Sequence, residues 1–268
     1  MTVTHQSTLS ADPAEYSVFA RILVGVDGKR LSSDACRQAS LLAYPETVIE
    51  AATVSLFPPA AAAALGVHDL EQSLERNAGA ALLAAQRILG PDAELRRLDG
   101  LTVEALLAEA KRTQATLLAI GAPEHPRIEE IVFGGVAGEL LHKTPCSMLL
   151  ARPVPDEANF PSKIVVGLDG SDQAERAYEV ATQLARRRHS QLQGIVGLGG
   201  RRVRLAEIVH RHGPVETSEA AAVPALLEAS ACADLLVVGS RGLHGLRGLG
   251  SVSERIAHQA ACSVLVIR

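Results

Sequence analysis

Short apolar runs alternate along this chain with longer stretches in which apolar positions recur every three or four residues. Continuous apolar runs fit strands buried on both faces, and the longer period fits helices with one buried face. Arg21-Ile22-Leu23-Val24-Gly25-Val26 reads as a strand that ends in a turn at Asp27-Gly28, and Ser33-Asp34 starts a helix running to about Ala43. Val48–Val54 is a second strand, Asp69–Leu89 a long Ala/Leu helix, and Glu94–Leu98 a third, more charged strand. Helix Val103–Thr113, strand Thr116–Gly121, helix Val136–Lys143 and strand Ser147–Ala151 follow. This alternation predicts an α/β fold whose parallel sheet is covered on both faces.

The pattern then restarts. Pro153-Val154-Pro155-Asp156-Glu157-Ala158-Asn159-Phe160-Pro161 reads as a joint, and Lys163-Ile164-Val165-Val166-Gly167-Leu168-Asp169-Gly170 repeats Arg21–Gly28 in register. Pro145-Cys146-Ser147-Met148-Leu149-Leu150 likewise matches Ala261-Cys262-Ser263-Val264-Leu265-Val266. The chain is an internal duplication. Expected boundaries are a flexible lead at 1–18, a first domain at 19–152, a linker at 153–161 and a second domain at 162–268. The second half is the shorter. Its middle, Ile195-Val196-Gly197 followed by Arg201–His212, has room for one strand and one short helix.

Composition narrows the class. Apolar residues make up 47 % and aromatics 3 % of the 268 residues, so the core is built from Ala, Leu and Val. A net charge of −4 gives no electrostatic reason to bind nucleic acid or an anionic membrane. Cys36, Cys146, Cys232 and Cys262 are scattered and read as inert, mostly buried thiols. With no secretory h-region and no run of ~20 apolar residues, a soluble cytoplasmic protein is expected.

The densest chemistry lies between Gly239 and Ser253. The apolar run Leu235-Leu236-Val237-Val238 opens into Gly239-Ser240-Arg241-Gly242-Leu243-His244-Gly245-Leu246-Arg247-Gly248-Leu249-Gly250, which closes on Ser251-Val252-Ser253 at the start of a helix. Backbone N–H groups of such a loop and the helix dipole suit a phosphate. Arg241 and Arg247 are its only charges. In a parallel sheet the carboxyl ends of the strands converge, so Asp169 and Gly239 can meet there.

This combination resembles the universal stress protein family, and the duplication resembles its tandem two-domain members, over about residues 19–268. The resemblance implies two Rossmann-like (adenine nucleotide alpha hydrolase-like) domains, each a five-stranded parallel sheet flanked by helices, the second trimmed. The family pattern is Gly-x2-Gly-x9-Gly-Ser/Thr, after a first strand ending Val-x-x-Asp-Gly-Ser. In ATP-binding members the Asp and a backbone group of the second strand hold adenosine, and the glycine loop holds the phosphates. Carried over by position, Leu168, Asp169, Gly239, Arg241, Gly242, Gly250, Ser251, Val252 and Ser253 would bind ATP or another adenine nucleotide. Seven residues separate Gly242 from Gly250, against nine in the family, so the loop is shorter. Ser251-x-x-Glu254 also reads as a capping box, which alone accounts for both residues.

The first half keeps weaker counterparts at Asp27, Gly121, Gly134 and Gly135. Glu124 replaces the second loop glycine, Gly135 replaces the serine, and Glu124, Glu129 and Glu130 outnumber Arg127. Pro123 and Pro126 stiffen this loop and remove donors. A degenerate site is expected here, holding a less charged ligand or none. Asp27 also serves as a turn or helix-start residue.

Other features read as structural. His244 is a solvent-facing loop residue, Arg186-Arg187-Arg188-His189 a solvated helix end, Arg201-Arg202-Val203-Arg204 an exposed turn, and Ala60–Ala64 a loop or helix start. No nucleophile–base pair, paired carboxylate or metal-ligand cluster stands out, and the Gly-x4-Gly-Lys-Ser/Thr loop is absent. The family resemblance implies antiparallel pairing of Ser147–Ala151 with Ser263–Ile267 inside one chain, a pseudo-dimer that can associate further as a homodimer. Three functional readings follow: a nucleotide-binding stress-response regulator, an interaction module that binds no nucleotide, and, least supported, a slow ATPase.

Overall fold

The computed structural model describes residues 17–55, 68–122, 135–199, 205–240 and 251–268. In the first half the apolar runs form β1 (Arg21–Gly25), β2 (Val48–Ser55), β3 (Glu94–Asp99), β4 (Leu117–Gly121) and β5 (Ser147–Ala151). The helices between them are α1 (Arg30–Leu42), α2 (His68–Leu89), α3 (Thr102–Arg112) and α4 (Val136–Lys143). The second half repeats this order with β6 (Lys163–Gly167), α5 (Asp172–Arg188), β7 (Gln191–Gly197), α6 (Leu205–His212) and β8 (Glu216–Ser218). It closes with α7 (Ala222–Ser230), β9 (Leu235–Gly239), α8 (Ser251–Gln259) and β10 (Ser263–Ile267).

The strands form one sheet in the order β3-β2-β1-β4-β5-β10-β9-β6-β7-β8, so each half contributes five strands in the same spatial sequence. Pairing is parallel within each half. At the centre β5 and β10 run antiparallel, with Leu149 opposite Leu265. The expected pseudo-dimer pairing is therefore present. Side chains alternate between two apolar layers: Ile22, Val24 and Leu149 join Ile164 and Leu265 in one, whereas Leu23, Leu118 and Met148 join Val165 and Val264 in the other. Each layer runs unbroken across the β5–β10 seam. The outer edges are short or charged, β8 with three residues and β3 reading Glu-Leu-Arg-Arg-Leu-Asp, which discourages further strand addition.

Several elements differ from the sequence reading. The middle of the second half holds β8 and α7 beyond the one strand and one helix expected, and α6 has 8 residues where its counterpart α2 has 22. Three residues are too few to show a period, and α7 carries Pro224 in its first turn, where the missing N–H is not needed. Ser17 and Val18, placed in the lead by the sequence reading, join the fold: the Ser17 hydroxyl donates to the Phe19 carbonyl at 2.8 Å, and Val18 packs on the core. Arg187 and Arg188 are not simply solvated: Arg187 lies 4.2 Å over the Tyr44 ring, and Arg188 donates to the Phe160 and Ala158 carbonyls. Cys36, Cys146 and Cys262 are buried, and burial pushes the Cys36 and Cys262 thiols up to about 12. No helix among the described residues is long and apolar enough to cross a membrane.

A reciprocal clasp closes the seam. Arg152, just after β5, sends its guanidinium to the carbonyls of Ala257 in α8 and Cys262 just before β10, at 2.6 and 3.0 Å, in the other half. Arg268, just after β10, donates to the Leu141 carbonyl of α4 at 2.5 Å. Their backbone amides donate to Ser263 and Ser147, respectively. Gln38 completes the Arg152 side, accepting from the Ser263 hydroxyl at 2.8 Å and donating to the Arg152 carbonyl at 2.7 Å.

The structure also assembles a carboxyl pair that the sequence did not announce. Glu50 in β2 is buried and hydrogen-bonds Glu109 of α3, which in turn holds Arg112 through two bonds of 2.7 and 2.8 Å. Burial, then the bond to Glu109, raises Glu50 to about 7, whereas Arg112 holds Glu109 well below the usual carboxylate range. A folded-state pKa above the unfolded value near 4.5 means that Glu50 favours folding most at low pH. Its contribution falls as pH rises through about 7. Glu50→Gln is expected to flatten this decline, checked by urea unfolding at intervals from pH 5 to 8; an unchanged slope would exclude Glu50 as its source.

Candidate functional site

At the carboxyl ends of β1 and β6 the chain turns in the same way. Asp27 Oδ1 accepts from the Lys29 amide at 2.9 Å, and Asp169 Oδ1 accepts from the Ser171 amide at 3.0 Å and its hydroxyl at 2.6 Å. Gly28 and Gly170 between them both have φ of 77°, a left-handed conformation that a Cβ would strain. These are Asx turns, and each hands the chain to the helix that follows. Ser171 then caps α5 by accepting from the Ala174 amide. Both aspartates thus have a structural use that does not depend on a ligand.

Beside each turn lies a cleft. In the second half, Leu168, Asp169, Gly239, Val252 and Ser253 line one cavity of about 130 Å³, so the fold brings these sequence candidates together. Ser251 is the first residue of α8 instead of the residue preceding it, as the capping-box reading required. The side chain of Ser251 and all of Arg241, Gly242 and Gly250 lie outside the described residues, as does His244. Glu254 Oε1 sits 3.3 Å from His142 Nε2 of α4.

In the first half, Asp27 and Gly121 line a cavity of about 690 Å³. Gly135 stands at its rim as the N-cap of α4, with φ of 109°, directly before the lining residue Val136. Gly134 lies outside the described residues, as do Glu124, Glu129, Glu130 and Arg127. The half expected to be degenerate therefore has the roomier cleft.

Register explains part of the difference. Ala52 lies beside Gly25 in β2, and Ile195 lies beside Gly167 in β7, so the second cleft has a bulkier floor. Two residues further, Val54 lines the first cavity, whereas Gly197 is pressed against α7: a Cβ there would fall 2.5 Å from Ala222 Cα. A cavity near 130 Å³ has the room of the ~150 Å³ engineered cavity that admits one benzene ring. The first falls in the ~300–1,000 Å³ range of small-molecule pockets.

The glycines at the strand ends are also explained by packing. A Cβ on Gly239 would lie 2.4 Å from the Gln173 carbonyl oxygen, and one on Gly121 would lie 2.4 Å from that of Leu31. Each helix start rests directly on its strand, and only glycine leaves the space. Among the described residues no group of three or more His, Cys, Asp or Glu is placed to hold a metal.

Comparison with known proteins agrees with this architecture. The model of the universal stress protein family matches residues 19–152 and 200–268. A universal stress protein of Mycobacterium tuberculosis is 29 % identical over 289 residues, covering 92 % of this chain and 96 % of its own. One from Mycolicibacterium smegmatis is 30 % identical over 290 residues, with the same coverages. Among solved structures, a universal stress protein of Archaeoglobus fulgidus superposes with a TM-score of 0.68 at 17 % identity, covering 93 % of this chain and 98 % of that one. A putative universal stress protein of Pseudomonas aeruginosa gives 0.68 at 16 % identity, covering 93 % of each. With its duplicated five-stranded halves and paired Asp turns, the chain belongs to the universal stress protein family, as a tandem two-domain member.

Proposed function

We propose that this protein is a stress-response regulator that binds an adenine nucleotide, ATP foremost, in its second-half cleft. The observation that carries the reading is the convergence of Asp169, Gly239, Val252 and Ser253 on one cavity with room for a single ring system. The base would occupy the enclosed part. The phosphates would lie toward the first turn of α8, which the Gly239–Gly250 sequence precedes with two arginines and no acid. Asp169 is the one acidic or basic side chain among the described lining residues, and its Oδ1 already serves the turn, so hydrolysis is not part of the proposal.

A second reading, an interaction module that binds no nucleotide, draws on the packing of Gly239 and the Asp169 turn, since neither needs a ligand to explain it. Native mass spectrometry of the freshly purified protein and calorimetric titration with ATP, ADP and AMP separate the two. Binding in the micromolar range is expected, and Val252→Glu, which places a carboxylate on the cavity wall itself in addition to Glu254, should weaken ATP at least tenfold. Absence of nucleotide after purification and of binding near millimolar ATP would favour the interaction module.

A further inference from the structure

The geometry points to a second ligand site of different chemistry: the first-half cleft binds an uncharged, largely apolar small molecule. This goes beyond the nucleotide reading, which concerns the other half. At about 690 Å³ the cavity exceeds what a single ring needs. Its wall is mostly hydrocarbon, with Val54, Leu74, Leu106, Ile120 and Val136 from strands and helices on several sides. Thr53, Asn77 and Thr102 add polar groups, so the ligand carries a few hydrogen-bonding groups on an apolar body. The two charged residues of the described lining, Asp27 and Lys29, face each other at 3.5 Å and leave no net charge for an ion to answer.

At the helix start beside the cleft the two halves differ. Val252-Ser253-Glu254-Arg255 has as its counterpart Val136-Ala137-Gly138-Glu139, so an alanine replaces a buried serine, a glycine replaces Glu254 and Glu139 replaces Arg255. Glu139 occupies the first turn of α4 and pairs with Lys143. A polyphosphate at this helix start would meet an apolar wall, which is unfavourable. An apolar ligand meets no such cost. Exposed large apolar side chains are few among the described residues, and two of them stand at this mouth: Val136 at 37 % exposure and Leu101, next to the lining Thr102, at 60 %. Burying such surface against a ligand is favourable by roughly 25 cal/mol per Å².

The test uses the full chain and the uncharged fluorophore N-phenyl-1-naphthylamine, titrated with and without saturating ATP. Saturable binding of one probe per chain is expected, with the same affinity in both conditions. Ala52→Ile copies the residue found in the other half and narrows the floor; it should weaken the probe at least tenfold. Val136→Glu changes an exposed first-turn position that tolerates acid, so it should leave the fold intact and weaken the probe by a similar factor. Val252→Glu should leave probe binding unchanged, and Val136→Glu should leave ATP binding unchanged. Probe binding that is non-saturable, that persists in both first-half variants, or that ATP displaces would overturn the proposal. Loss of ATP binding alone would sink only the nucleotide reading.

Discussion

Replacing Gly239 by alanine is expected to destabilise the protein by about 3 kcal/mol or more in the complete absence of nucleotide. The new Cβ would stand 2.4 Å from the Gln173 carbonyl oxygen, a backbone atom in the first turn of α5 that cannot rotate away. Either β9 or the start of α5 must shift. Gly121→Ala should cost a similar amount, because the Leu31 carbonyl stands equally close. Gly79→Ala is the control. Gly79 lies in α2 with nothing within 4 Å of its would-be Cβ, so alanine there should stabilise by roughly 0.5–1 kcal/mol. Equilibrium urea unfolding of ligand-free protein measures all three. A Gly239→Ala variant as stable as the parent would mean that helix and strand are not in this contact, and would return the glycine to a role in ligand approach alone.

The second large effect is expected at Arg152. Its guanidinium is buried with no carboxylate partner among the described residues, and burial lowers its pKa; the carbonyl oxygens of Ala257 in α8 and Cys262 just after it are its partners. Arg152→Met keeps much of the volume and removes both bonds, leaving buried acceptors unsatisfied. Each bond to a charged donor contributes about 1.5–3 kcal/mol, so a total loss of about 3 kcal/mol is expected. For a chain of this size that lowers Tm by roughly 6–12 °C. Arg268→Met should cost about half as much, since Arg268 is less buried and makes one such bond to Leu141. Scanning calorimetry reads both. Equal, small shifts in the two variants would show that the seam is held by apolar packing and not by the clasp.

Much of this architecture was legible because each level of the sequence agreed with the next. Ile164-Val165-Val166 could be a core strand only if covered on both faces, and its register with Ile22-Leu23-Val24 fixed the second half by analogy with the first. The antiparallel seam followed from the family resemblance. The site was legible only in part. Asp169, Gly239, Val252 and Ser253 do meet, but the relative size of the two clefts depends on single side chains, Ala52 against Ile195 and Val54 against Gly197, whose effect needs the register between strands. Glu50 gave no signal because its partner Glu109 is far away in sequence. Arg152 and Arg268 did leave one: each follows its matched closing strand at the same offset. Their role stayed hidden because an arginine after a strand more often faces water.

The two repeated halves that meet at the antiparallel β5–β10 seam are also joined covalently, through residues 152–162. In an assembly of two identical chains, symmetry writes every substitution twice, so both pockets must change together. Here they are free to diverge. Ala52 can stay small beside Gly25 while the larger Ile195 stands beside Gly167. Because the partner is tethered, association of the two halves does not depend on protein concentration.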